Sequence, residues 1–284
     1  MAHPDYKIKT MSRHDFDVAI EWAANEGWNP GLHDGDAYYG TDNNGFLMGW
    51  LGDVPVSSIS VVKYGQSFGF LGFYIVTPEN RGKGYGYQIW QAGMEYLKGR
   101  NVALDGVVDQ QENYRKSGFN LAFRNIRFEG VSDEVSGGSE EGVIDLRTVS
   151  FESVDNCWSQ YFPEHRQEFN RAWLKLPESY ALGILEKERF IASGVIRRCR
   201  AGYKIGPLFA ESAEAADRVF TALVSRISPG EPVFLDVPEL NKAAVSLAEK
   251  YNMKLSFETA RMYTGEEPDI SLNETFGITS FEVG

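Results

Sequence analysis

Residues Gly72 to Trp90 read GFYIVTPENRGKGYGYQIW. A hydrophobic run with the composition of a strand, Phe68–Val76, stops at Thr77–Pro78. Arg81-Gly82-Lys83-Gly84-Tyr85-Gly86 then opens a helix that ends near Gly99. Glycines at such a junction let the backbone approach a ligand with no Cβ in the way. The unpaired amides at a helix start, with the positive end of its dipole, favour phosphate oxygens. Arg81 and Lys83 add charge, so the segment suits a pyrophosphate held by charge-assisted hydrogen bonds. It lacks the Lys-Ser or Lys-Thr pair that closes a nucleoside triphosphate loop, and it does not spell the dinucleotide fingerprint of a βαβ unit. Taken alone, it also fits a plain helix start built on turn glycines.

Upstream of this segment, an extended Tyr6–Thr10 is followed by Ser12 with Asp15 three residues on, an N-terminal capping signature. Phe16, Ala19, Ile20 and Ala23 then share one helix face, and Pro30–Gly31 stop the run. Two strands, Phe46–Leu51 and Val56–Tyr64, are joined by a turn at Gly52–Pro55. Downstream come a short strand at Val102–Leu104, a short helix holding Tyr114, and a last strand at Phe119–Phe128. EGVSDEVSGGSEEG, Glu129 to Gly142, is too poor in apolar residues to order itself and reads as a linker.

Beyond the linker the plan repeats. An extended Val143–Val149 leads to a helix from about Phe151, a hairpin of Tyr180–Leu185 and Phe190–Arg198, and a strand at Tyr203–Ala210. A helix around Ala215–Ile227, a strand at Val233–Val237, a helix over Glu239–Tyr251 and a strand at Lys254–Tyr263 complete it. The closing strands also agree, LAFRNIRFEG (Leu121–Gly130) with LSFETARMYTG (Leu255–Gly265). The expected fold is α+β: two tandem domains, residues 1–130 and 143–284 about a 131–142 linker, each a mixed, mostly antiparallel sheet flanked by helices.

The 284 residues, 43% hydrophobic and 24% charged, describe an ordinary globular chain long enough for two domains. A net charge of −12 argues against broad nucleic-acid or anionic-membrane surfaces, so neither partner is expected. The two cysteines, Cys157 and Cys199, make no metal pattern and read as reduced packing residues, so no metal is expected. MAHPDYKIK has no apolar signal region, and no run approaches the roughly 18 apolar residues of a membrane span, which points to a cytoplasmic protein. Monomer and homodimer both remain open.

The Gly72–Trp90 segment resembles the GNAT superfamily of N-acetyltransferases, whose motif is Gln/Arg-x-x-Gly-x-Gly/Ala after a strand ending in Val-x-Pro. Arg81, Gly84 and Gly86 stand at its three defined positions, and Val76-Thr77-Pro78 at the strand end. Tyr114-Arg115-Lys116-Ser117-Gly118-Phe119 matches the downstream Tyr-x-x-x-Gly-Phe of the family. EGWNPG (Glu26–Gly31), LDGV (Leu104–Val107) and the second domain look like the YitH-like bacterial subgroup. The resemblance implies acetyl-CoA as co-substrate, bound by Tyr74, Ile75 and Val76 along the pantetheine arm and by Arg81, Gly82, Lys83, Gly84, Tyr85 and Gly86 at the pyrophosphate. It also implies that the strands at Phe68–Val76 and Val102–Leu104 splay apart.

Acyl transfer from a thioester to an amine needs a neutral amine, a stabilised oxyanion and a proton for the thiolate. Tyr114 is the candidate acid, since a phenol keeps its proton at neutral pH; simple packing under Gly118–Phe119 is the alternative. The base is open among Glu26, His33, Asp34 and Asp36, with Trp22 and Trp28 as pocket walls, in the region that shapes the acceptor site of the family. In the second half, KIGPLFA (Lys204–Ala210) is followed by Glu211-Ser212-Ala213-Glu214-Ala215-Ala216, with no glycine and two carboxylates. Counting back from Asn252-Met253 puts Ala248 at the Tyr114 position. CoA is therefore expected in the first domain only, even when that domain is isolated, with the degenerate second domain closing the acceptor pocket and the apolar tail FGITSFEVG (Phe276–Gly284) packed on the body. The acceptor is a small-molecule amine or a protein lysine. A non-catalytic acyl-CoA sensor is the competing function.

Overall fold

A computed structural model describes residues 5–135 and 141–284 of the chain. Strand β1 (Tyr6–Thr10) runs into α1 (Arg13–Asn25), whose start is a capping box: the Asp15 amide donates to Ser12 Oγ at 3.2 Å and the Ser12 amide to Asp15 Oδ2 at 2.8 Å. Phe16, Ala19, Ile20 and Ala23 form the buried face of α1, as their spacing predicts. A short α2 (Asp34–Tyr39) follows, which the sequence reading lacks. Strands β2 (Phe46–Leu51), β3 (Val54–Tyr64) and β4 (Phe68–Val76) make an antiparallel meander. Helix α3 (Tyr85–Tyr96), β5 (Asn101–Val107), α4 (Gln111–Lys116) and β6 (Asn120–Val131) complete the first half.

The second half comprises β7 (Val143–Asp145), α5 (Phe151–Trp158), α6 (Gln167–Leu174), β8 (Ser179–Glu186), β9 (Arg189–Arg198) and β10 (Tyr203–Ala210). It continues through α7 (Ala213–Val224), β11 (Pro232–Pro238), α8 (Lys242–Lys250), β12 (Lys254–Tyr263) and β13 (Thr275–Gly277). Part of the expected linker, residues 136–140, lies outside the described residues, and its first residues, Glu129–Val131, belong to β6. Among the described residues no helix is long and apolar enough to cross a membrane.

Each half is a mixed, mostly antiparallel sheet with helices packed on it, but the two are joined. The strands form one sheet in the order β1-β2-β3-β4-β5-β12-β6-β11-β10-β9-β8-β7, with β13 added on β10. Each half's closing strand therefore lies against the other half: β12 pairs with β5, and β6 pairs with β11. Between them β6 and β12 run antiparallel from Asn120↔Tyr263 to Glu129↔Lys254. The similarity of these two strands explains why they can trade places. Either can complete either sheet, and the exchange adds the long β6–β12 ladder.

Three buried ion pairs fasten the exchange, each joining a residue before the linker to one after it. Arg127 on β6 grips Asp236 on β11 through two bonds of 2.6 and 2.7 Å, Arg261 on β12 grips Asp105 on β5 at 2.6 and 2.8 Å, and Arg197 on β9 reaches Asp34 at 2.8 Å. Burial alone would raise the Asp236 carboxyl, yet the Arg127 charge outweighs it and holds it below its ordinary value.

Candidate active site

Strands β4 and β5 are hydrogen-bonded in parallel only from Phe68–Leu71 to Asn101–Leu104. Past that point β4 carries one extra residue against β3: Ser58 faces Ile75, but Ser60 faces Gly72. Phe73 absorbs the bulge with a φ of +45°, a conformation a bulky residue seldom takes. Its ring is locked in the core against Phe16 at 5.1 Å, and its carbonyl accepts a 2.7 Å bond from Ser58 Oγ. The bulge turns β4 away from β5, and the gap opens into a cavity of ≈ 550 Å³. Splayed strands are thus observed, with free edges at Tyr74–Val76 on one side and Asp105–Val107 on the other.

At the mouth of this cavity stands the glycine loop. Gly82 (φ +75°) and Gly84 (φ +86°) are both left-handed, and around both the space a Cβ would fill is empty. Gly84 caps α3 with no side-chain cap hydrogen bond. Arg81 bonds the Val76 carbonyl at 3.0 Å and forms an ion pair with Glu26, while Lys83 reaches Asn80 Oδ1 at 3.2 Å. Gly86 is a packing position: a Cβ there would lie 2.8 Å from the Tyr74 hydroxyl and 3.1 Å from Val76 Cγ2. Tyr85 turns inward and stacks on Tyr6 at 4.8 Å. Of the residues expected at this end, Tyr74, Ile75, Val76, Arg81 and Gly82 line the cavity; Lys83, Gly84, Tyr85 and Gly86 build the helix start beside it.

Across the gap, α4 presents Tyr114 to the same cavity. Its ring stacks on Trp90 at 5.6 Å, and only 7% of the residue is exposed. Burial, with a smaller contribution from Tyr74, pushes its phenol well above the ordinary tyrosine value, so it stays a proton donor. Gly106 makes the position possible, because a Cβ there would sit 2.1 Å from Tyr114 Cε2.

The acceptor-side expectations divide. Glu26 and Trp28 line the cavity. His33 and Asp34 do not: His33 faces Glu178 at 2.9 Å, and Asp34, 2% exposed, is consumed by Arg197, the Gly31 amide at 2.9 Å and the Tyr38 hydroxyl at 3.2 Å. Asp36 lies on the surface with Arg13 at 2.8 Å. These three are corrected from pocket groups to structural or surface ones. The sequence reading missed Phe257 and Thr259 on β12 and Phe281 and Glu282 in the tail, which wall the cavity from the second half. Only the apolar composition of the tail signalled its docking, and Phe276, Ile278, Phe281 and Val283 are indeed buried.

Comparison with known proteins matches this architecture twice. Residues 14–119 fit the acetyltransferase (GNAT) family model, and residues 158–277 fit an acetyltransferase (GNAT) domain model. The holothin acyltransferase of Pseudoalteromonas sp. (strain SANK 73390) is 30% identical over 282 residues, covering 99% of this chain and 96% of that protein. The chain belongs to the GNAT acetyltransferase family. In fold it resembles a candidate acetyltransferase from Pyrococcus horikoshii, with a TM-score of 0.84 at 18% identity over 100% of this chain and 98% of that one. A tandem GNAT protein from the clavulanic acid biosynthesis pathway gives a TM-score of 0.65 at 10% identity, covering 92% and 99%.

The second GNAT unit repeats the splay and fills it. Strands β10 and β11 pair in parallel only from Tyr203–Ile205 to Val233–Leu235, and β10 shifts register against β9 just beyond. Into this gap the chain inserts its own β13, pairing Leu208 with Gly277 and Phe209 with Thr275, while the Ile278 amide bonds the Asp236 carbonyl at 2.9 Å. Asn241 secures the approach through the carbonyls of Leu272, Asn273 and Thr275 at 3.0–3.2 Å. The start of α7 is closed by its own Ser212, whose Oγ accepts from the Ala215 amide at 3.2 Å, with Glu214 in the first turn. Ala248 sits where Tyr114 does: Met253 N bonds its carbonyl at 3.1 Å as Phe119 N bonds that of Tyr114 at 3.2 Å, with Asn252 and Gly118 both left-handed. Among the described residues, no group of three or more His, Cys, Asp and Glu is placed to hold a metal ion.

Proposed function

We propose that the chain is an acyl-CoA-dependent N-acyltransferase that acylates a primary amine of a small molecule by direct attack in a ternary complex. The observation that carries this is the cavity opened by the Phe73 bulge, with the glycine-built start of α3 and Arg81 at its mouth and the Tyr114 phenol on its wall. The backbone amides of the loop and helix start at Lys83–Gly86, with Arg81 and Lys83, hold the pyrophosphate; each bond to a charged group contributes roughly 1.5–3 kcal/mol. Pantetheine lies along the free edge of Tyr74–Val76, where a backbone amide can polarise the thioester carbonyl. Tyr114 gives its proton to the departing thiolate. Arg81 exchanges Glu26 for the pyrophosphate, leaving Glu26 and Trp28 as walls of the amine pocket.

Residues 1–130 form the catalytic unit and 143–284 a degenerate unit that lends β12 and the tail to the pocket. The tail and Trp28 enclose the acceptor side, which favours a small molecule over a lysine on a folded surface. The relative's name speaks of an acyltransferase and of holothin, so donors longer than acetyl belong in the test beside the default acetyl-CoA. Purified protein incubated with acetyl-, propionyl- and hexanoyl-CoA and a panel of primary amines should release free thiol with at least one pair. CoA binding with no thiol release from any pair would favour the acyl-CoA sensor.

A further inference from the structure

The cavity holds four carboxylates, and three of them are accounted for. Glu26 is paired with Arg81 at the mouth, Asp105 is held bidentate by Arg261, and Asp109 is exposed on the turn after β5. The fourth is Glu282, 4% exposed and contributed by the tail that leaves the second unit after β13. Its placement is strict. The Glu282 carbonyl accepts from Ser60 Oγ at 3.2 Å, and its oxygen lies 2.1 Å from where a Cβ on Gly72 would be. Tyr64 holds the next carbonyl, that of Val283, at 2.7 Å, and Arg166 holds that of Gly284 at 2.5 Å. Gly72 is the residue before the Phe73 bulge, so Glu282 stands at the apex of the splay, beside the middle of β4.

The carboxylate itself is lightly engaged. Tyr38 on α2 donates to Oε2 at 3.2 Å; among the described residues no other hydrogen bond reaches it, and no cation pairs with it within ion-pair distance. The charged groups around it are Arg127 from β6 and Lys204 from β10, with Asp34 and Arg197 behind the Tyr38 hydroxyl. Arg127 is bonded to Asp236 and the Trp28 carbonyl, and Lys204 to the Asn29 carbonyl at 3.0 Å. A buried carboxylate with a free oxygen facing a cavity is placed to receive a proton or a cation.

We propose that Glu282 is the proton acceptor for the attacking amine, supplied to the first unit's site by the end of the second. The assignment rests on the acyltransferase reading above. The acceptor enters as an ammonium, and Glu282 takes one of its three protons to leave a neutral nucleophile. Nitrogen then bonds to the thioester carbon as the carbon–sulfur bond breaks; Tyr114 protonates the sulfur and recovers a proton from the nitrogen. The products are an amide with one N–H, a thiol, and one proton that Glu282 returns to solvent.

The test compares wild type, Glu282→Gln and Glu282→Asp, with thermal melts and CoA titrations on each. Gln keeps the shape and the Tyr38 contact but cannot take a proton. With CoA affinity and melting retained, its kcat near pH 7 should fall by about 10²-fold. The deficit should shrink as pH rises toward the amine pKa near ~10.4, because solution then supplies neutral amine. Asp, with a recessed carboxylate, should restore part of the rate and the wild-type pH profile. Should Gln unfold the tail, Asp alone carries the test: with melting and CoA affinity retained, its kcat should still fall below wild type at unchanged acceptor KM, whereas a merely structural Glu282 would leave its rate tied to its melting loss. An unchanged kcat, a loss confined to the acceptor KM, or a parallel pH profile in the Gln variant would overturn the assignment. A wild type that binds CoA but never releases thiol sinks the acyltransferase reading itself, and this assignment with it.

Discussion

Gly106 and Tyr114 act as one position: the ring occupies the volume that a side chain on β5 would need. Tyr114→Phe keeps that packing and removes only the proton, so CoA affinity should hold within a few fold while turnover falls by roughly 10²–10⁴-fold. Unchanged turnover with every acceptor would assign Tyr114 to packing. Because burial raises the Tyr114 phenol, the group stays protonated as pH climbs past the ordinary ~10, and it should set no alkaline fall in rate below that pH. Gly106→Ala is the steric counterpart. Its methyl must move the ring, so turnover should drop toward that of the Phe variant and the melting temperature should fall as well, whereas Tyr114→Phe leaves melting nearly untouched; a fully active Gly106→Ala would show that the ring's place is not critical. Tyr114 and Arg81 were legible in the sequence because short motifs carry them. Asp34 and Glu282 were not, because what each does depends on partners far along the chain, Arg197 for one and Tyr38 for the other.

The elements that differ most between the two units are the starts of α3 and α7. One begins at left-handed glycines with no side-chain cap; the other is sealed by Ser212 and guarded by Glu214. With β13 also filling the second splay, CoA should titrate to one site per chain, and Gly84→Glu should abolish it. A carboxylate there repels phosphate at the helix start, and a side chain at φ +86° is strained. Two equivalent sites, or wild-type affinity in the Glu variant, would contradict this. Most strands and long helices could be read from periodicity, and β1, β2, β4, β10 and β12 have the expected bounds. Short α2, DGDAYY, escaped because Asp and Gly are poor helix formers and its stability comes from packing. β13 escaped because three residues carry no pattern; its partner β10, not its own sequence, makes it a strand.

At the scale of the whole molecule, the exchange of β6 and β12 argues against one expectation, that the first half alone would still bind CoA, with weakened acceptor turnover or poor solubility. Removing everything after the linker strips β12 from between β5 and β6, and β6 then has neither of its neighbours, since the other is β11. The same cut exposes the Arg127 and Asp105 positions, whose buried partners are gone; losing one partner of a buried pair costs about 3–5 kcal/mol, a large part of a domain's stability. Apolar packing is shared as well: Phe16, Phe70 and Phe73 belong to one core with Trp158, Phe169 and Trp173. A fragment of residues 1–135 should therefore be insoluble or unfolded, with no CoA binding by calorimetry. The intact protein cleaved once within residues 136–140 should behave differently, its two pieces co-eluting in gel filtration and still binding CoA, because the long β6–β12 ladder and three buried ion pairs hold them without the peptide link. Neither observation alone is decisive, since many fragments misfold and many nicked proteins stay together. The pair is: a soluble, monomeric first half that binds CoA as tightly as the whole chain would mean that β12 is dispensable, and that the units are separate bodies rather than two sheets completed by each other's strands.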